Sequence, residues 1–270
     1  MIRVKRVLNF VLVASISFTV VFLAVGMLSP RYVALIIVTA ITIITIIAAP
    51  SFWQRIKANK RKKELSAWAL SRNLRFHPDK RTEMHINYPQ FSCLQNGNER
   101  YAFNVIEGTF ASREICAFNY HYAVAGTEDK DKLNGPDPLG DLLSGHFFFS
   151  VVIVKTSMQC KPLLIRQERF LDKIADSAGL DDINFESTEF NNQFHVKSSD
   201  RRWAYDVINQ STMELLLSSC RFNIEFNGNC VIAYHNELFS SAYFEEALQL
   251  LTGILDNLPE SLVQELKGKH

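Results

Sequence analysis

The sequence predicts an α+β domain set behind a two-helix transmembrane hairpin. Three observations predict it. Residues 1–63 hold ten Lys/Arg and no Asp or Glu, while residues 64–270 hold 19 Lys/Arg against 28 Asp/Glu. Two runs free of charge, 7–28 and 32–50, are 22 and 19 residues long. Beyond residue 90, strand-like segments cluster first and helical ones follow, the order of an α+β fold with a mostly antiparallel sheet and three or four helices. Together these exclude a disordered chain, a simple soluble globule and a polytopic transporter. The expected domains are a hairpin over 1–52, a basic juxtamembrane helix or linker over 53–75 and an α+β body over 76–270.

Each apolar run exceeds the ~18 residues that cross ~30 Å of hydrocarbon at ~1.5 Å per residue. Ser29-Pro30-Arg31 separates them, and Pro30 ends one helix while it can start the next. The first run outlasts the ~7–15 residues of a signal-peptide core, so a retained hairpin is expected. Lys/Arg number three before the first run, one between the runs and six over 55–63. This asymmetry places both termini in the cytoplasm. Arg55, Lys57, Lys60, Arg61, Lys62 and Lys63 are expected to contact anionic lipid headgroups, each contributing about 1 kcal/mol at low salt. Thr39, Thr42 and Thr45 recur along one helical side, either back-bonded to their own helix or lining a contact or pore.

Past the basic stretch, Leu65, Trp68, Ala69 and Leu74 form a stripe on a helix that His77-Pro78-Asp79 ends. Strands over 91–95 and 99–110 flank Asn96-Gly97, a hairpin signal. Over 112–124 the residues alternate, with Cys116, Phe118, Tyr120, Tyr122 and Val124 on one face. A Gly-, Pro- and Asp-containing loop over 125–145 precedes 146–155, which is nearly all apolar and reads as a central strand covered on both sides. A short helix over 170–178 closes at Gly179. Short strands are expected over 183–185 and 190–196. Ser199 or Asp200 caps a helix carrying Ala204, Val207, Ile208, Ser211 and Leu215 on one side. Asn227-Gly228 signals a second hairpin, between 221–226 and 230–234. In that register Phe226 faces Asn229 and Cys220 faces His235. Phe244, Ala247, Leu248, Leu251, Leu255 and Leu258 mark a last amphipathic helix.

The chain has no GxxxxGK[ST], GxGxxG, GxSxG or HExxH motif, and no His or Cys pair at a metal-binding spacing. No cofactor or metal is therefore expected, and the odd count of five Cys suits reduced thiols. Cys220 beside His235 would be the one pair resembling an activated thiol. The densest polar cluster supplies Asp181, Asp182, Glu186 and Glu189, with Arg201, Arg202 and Trp203 downstream, a candidate ligand or partner patch. Nucleic acid is not an expected partner, because the acidic body would repel phosphates.

Asp181-Asp182-Ile183-Asn184-Phe185-Glu186-Ser187, the later Asp200-Arg201-Arg202-Trp203-Ala204-Tyr205-Asp206-Val207, and Asn104-Val105-Ile106-Glu107-Gly108 carry a resemblance. So does Ala117-Phe118-Asn119-Tyr120-His121-Tyr122. These segments resemble a group of uncharacterised bacterial membrane-anchored proteins, over most of residues 64–260. The resemblance implies a bacterial inner-membrane setting and brings no catalytic residues. The expected function is a membrane-anchored, acidic cytoplasmic binding domain with a protein partner or self-association. The alternatives are a subunit of a small homo-oligomeric channel and a membrane-tethered enzyme built on the Asp181–Glu189 cluster.

Overall fold

The computed structural model describes residues 38, 39, 42, 56–124, 145–167, 180–219 and 221–267. The first apolar run, nearly all of the second, Arg55, nearly all of the 125–145 loop and the 170–178 helix lie outside the described residues. Among the described residues no helix is long and apolar enough to cross a membrane. The chain divides into two units, Met1–Lys60 and Arg61–His270.

The second unit is an α+β fold built on one seven-stranded sheet. Helix α1 covers 56–71 and belongs to this unit from Arg61 onward. Then come β1 (Arg75–His77), α2 (Met84–Asn87), β2 (Asn98–Phe110), β3 (Arg113–Ala123) and β4 (His146–Gln167). After them follow β5 (Asp181–Asp182), α3 (Thr188–Asn191), β6 (Phe194–Ser198), α4 (Arg201–Val207), α5 (Gln210–Ser219), β7 (Asn223–His235), α6 (Ser241–Asp256) and α7 (Glu260–Lys267). The strand order is β1-β2-β3-β4-β6-β5, with β7 along the other edge of β4 and every pair antiparallel.

Alternation along the strands sorts two cores onto the two sheet faces. Ile115, Ala117, Val152, Val154, Val231 and Ala233 face the side covered by α1 and α3–α7. Cys116, Phe118, Tyr120 and Tyr122 face the other side with Val151, Ile153 and Ile232, and Val124 packs against them. There Met84, Tyr88, Phe91 and Leu94 cover the sheet from the segment before β2. The expected face of β3 and the two-sided burial of β4 are both present. The helical stripes match in part: Leu65 and Ala69 on α1 are buried, as are Phe244, Ala247, Leu248, Leu251 and Leu255. But α1 ends at Ser71 in a turn with Asn73 at φ 56°, so Leu74 is buried beyond the helix and His77, expected to end it, lies in strand β1.

Several expected elements differ, each for a local reason. Residues 92–94 form a 3-10 turn whose Cys93 and Leu94 sink into the core, so Asn96-Gly97 forms the bend that leads into β2 and joins no hairpin. Asn227-Gly228 is likewise no turn. Gly228 (φ 62°) sits in an irregularity of the continuous strand β7, which pairs Phe226 with Leu163 and His235 with Ser150. The register of Phe226 on Asn229 and His235 on Cys220 is thereby overturned. The 183–185 segment packs Ile183 and Phe185 into the core after a two-residue strand. Ser187 caps α3, its Oγ accepting from Phe190 N–H, so helix replaces the expected strand start at 190. The helix after Asp200 breaks in two because the Asn209 side chain caps a new start, accepting from Thr212 N–H at 3.1 Å.

β4 and β7 bend sharply. Tyr234 Oη donates to Glu225 Oε1 at 2.6 Å, although the two lie nine positions apart on one strand. A straight strand would hold them ~30 Å apart. Register shifts between Lys155 and Cys160, and between Cys160 and Leu163, allow the pair of strands to fold over the second core.

Candidate functional site

The basic stretch runs into a helix that is locked to the body. Lys57, Lys60, Lys62 and Lys63 are exposed and Arg61 is half-buried. Just beyond them, Glu64 Oε1 accepts from Ser241 N–H at 2.9 Å and from Ser241 Oγ at 2.6 Å, at the N-terminus of α6. One turn on, Glu245 Oε2 accepts from Trp68 Nε1 at 2.9 Å and Oε1 accepts from Arg72 Nη2 at 2.7 Å. Trp68 stacks on Phe244 with ring centres 6.1 Å apart. A helix N-terminus favours a carboxylate, so Glu64 serves α6 as an added cap beside Ser240. In the first unit, Thr42 Oγ1 donates to Val38 O at 2.8 Å, a bond back to its own helix. Thr45 lies outside the described residues.

The acidic cluster and its downstream arginines do not form one patch. Asp182 Oδ1 lies 3.0 Å from His195 Nε2 and 3.7 Å from Lys197 Nζ on the β5–β6 edge. Asp181 pairs with Ser198 by register, and Glu186 and Glu189 are exposed around α3. Arg202 instead pairs with Asp206 and Glu265, at 3.7 and 3.9 Å, and Arg201 is exposed at the start of α4. Trp203 is 2% exposed, edge-on to Phe226. It belongs to the core and cannot contribute to a surface patch, because Asp200 caps α4 with its side chain accepting from Trp203 N–H and turns the indole inward.

The thiols described are poor nucleophiles. Cys93, Cys116, Cys160 and Cys230 are buried and free. Burial pushes Cys116 and Cys160 up to about 12 and Cys230 up to about 11. Cys220 lies outside the described residues.

Three arrangements escaped the sequence. In the concave face, Arg166, Glu225 and Tyr234 converge with Cys93. Arg166 Nη2 is 3.8 Å from Glu225 Oε1, and both side chains are 13% exposed. Burial raises the Glu225 carboxyl above its ordinary range. A second arrangement is an open groove of about 700 Å³ between the β2–β3 turn and the α6–α7 junction. Its cations face carboxylates, Arg113 on Asp256 and Lys155 on Glu114, each at 2.6 Å. The third is a histidine pair. His121 Nδ1 lies 3.1 Å from Glu99 O, and its Nε2 lies 3.0 Å from His146 Nδ1. A carbonyl only accepts, so His121 carries its proton on Nδ1 and receives one from His146. Tyr101 stacks on His121 at 4.4 Å, Phe148 leans on it at 4.7 Å, and Lys80 Nζ sits 3.8 Å over the Tyr101 ring. Among the described residues no three His, Cys, Asp or Glu side chains gather as a metal site. The histidine pair and the concave cluster join residues far apart in sequence, which no local motif announces.

No family model matches the chain, and no curated protein matches it. A solved structure does: the mycobacterial trehalose monomycolate transport factor A, TtfA, with a TM-score of 0.53. The likeness covers 73% of this chain and 96% of that one at 12% identity. At that identity the shared property is the fold.

Proposed function

We propose that this chain is a two-pass protein of a bacterial inner membrane whose α+β body is a non-enzymatic binding module on the cytoplasmic side. The observation that carries this is the locked start of the body. The basic run ends at Lys63, and the next residue, Glu64, already bonds α6. A body fixed at that point has no slack in sequence between it and the charges expected at a headgroup layer. The apolar runs of residues 7–28 and 32–50 supply the anchor. Among the described residues the thiols are buried and the Asp181–Glu189 carboxylates dispersed, which gives the tethered-enzyme alternative no support. The Thr42 back-bond gives none to the channel alternative. The fold is shared with a protein named as a trehalose monomycolate transport factor, so transport proteins are the first partners to test.

Alkaline carbonate washing of membranes tests the anchor, and protease treatment tests the orientation. The chain should stay with the membrane, and a tag after His270 should be cut in inverted vesicles but protected in spheroplasts. Release by carbonate, or cleavage of the tag in spheroplasts, would overturn the reading.

A further inference from the structure

We propose that the row of Tyr101, Phe103 and Phe148 across one end of the sheet face is a second lipid-contacting surface, inserted among the headgroups of the bilayer that anchors the chain. This deepens the function proposed above and rests on it. The inference comes from where α1 starts. Glu64 bonds Ser241. Two residues back, Phe239 N–H donates to Ser150 Oγ at 2.8 Å. Ser150 faces Asn119 across β3–β4, and Asn119 faces Phe103 across β2–β3. The first turn of α1 within the body is thus tied to the Phe103–Asn119–Ser150 row. From there α1 runs toward Leu74, which lies against Gly108. Gly108 and its partner Ile115 stand several rows further along the sheet. Going backward from Glu64 to Arg61 therefore leads toward the opposite end. The next row at that end is Tyr101–His121–Phe148.

This row is on the face that the helices cover elsewhere, since His121 alternates with Asn119, Ala117 and Ile115. Here the aromatic rings are partly exposed, Phe148 the most. Phe148 is 38% exposed, and Tyr101 and Phe103 are half-buried. Phe103 and Phe148 meet edge to face at 6.3 Å, and the whole group is braced by His121 and His146. Rigid aromatic rings with polar neighbours fit the headgroup layer, where one side is apolar and the other wet. Lys80 and the exposed Lys62 and Lys63 supply attraction to anionic lipid, against Glu99 and Glu237 at the same end.

The test uses the full-length chain reconstituted in phosphatidylcholine vesicles with phosphatidylglycerol, some lipids carrying a nitroxide near the headgroup. Phe148→Trp places a reporter in the row. Thr109→Trp places one at the exposed far end of β2. The emission each adds to the parent chain is compared after an alkaline wash. The expected result is about threefold quenching for Phe148→Trp and little for Thr109→Trp, as for an indole in the interfacial layer. A chain that stays with the vesicles while both reporters are quenched equally, or neither is, overturns the docking surface and leaves the anchor standing. A chain that washes off overturns the anchor and this surface with it.

Discussion

Trp203 and His121 show how single residues carry more than their sequence context reveals. Trp203 stands beside two arginines and a tyrosine, a pattern common in binding patches, yet its indole is in the core with Nε1 lacking a hydrogen-bond partner. Replacing it by Ala should cost about 3–5 kcal/mol, the range for deleting a buried aromatic. Trp203→Phe removes the unpaired N–H along with part of the ring and should cost less than about 1.5 kcal/mol. Urea unfolding of both variants gives the comparison. His121 is legible only as a strand residue, because its partner His146 is 25 positions away. Burial, then the His146 charge and Lys80, lower its pKa from 6.5 against a raising contact to the Glu99 carbonyl. His235 is lowered too, chiefly by burial. The unfolded chain then takes up protons near pH 6.5 that the folded one refuses. Stability should be full above that pH and fall as pH drops toward 5. His121→Gln should flatten this slope in urea midpoints measured across the range.

Elements are where local signals and tertiary packing part company. The stripes of α1 and α6 and the alternation of β3 are periodic over many residues, so the sequence displays them. The two Asn-Gly pairs are local signals that the surrounding sheet overrides. At Asn227-Gly228, β4 offers partners to both sides of the pair, so the strand continues through an irregularity instead of turning back. Gly97 and Gly228 both have positive φ, which an L side chain adopts at a cost of about 1 kcal/mol. An added Cβ at Gly228 meets nothing within 4 Å, whereas at Gly97 it would stand 2.4 Å from the Ala123 carbonyl oxygen. Gly228→Ala should therefore cost only the strain, and Gly97→Ala clearly more, in urea unfolding. The lock between α1 and α6 came from carboxylates that no motif marks. Glu245→Ala removes the acceptor of both Trp68 and Arg72, and should cost about 1–2 kcal/mol given the exposure of Arg72. Hydrogen exchange over 61–72 should rise in that variant while β3 stays protected.

For the molecule as a whole, composition and segment order were enough for the α+β class, while the candidate patch was not recoverable. Asp182 and Arg202 are 20 positions apart, and the sheet sends them to different neighbours, His195 and Asp206. The two cores share β3, β4 and β7, so they should melt together. Phe118→Ala in one and Leu251→Ala in the other should each lower stability by about 2–5 kcal/mol within a single transition of unchanged urea slope. The position of β4 also bears on how the protein is made. Ser150 on this strand pairs with His235, which is 85 positions later. At ~5–20 residues per second, a ribosome takes roughly 4–17 s to reach that partner. Throughout that interval β4 presents a nearly all-apolar open edge. The nascent chain should therefore bind a holding chaperone until β7 emerges, which crosslinking of chains stalled before and after residue 235 would test.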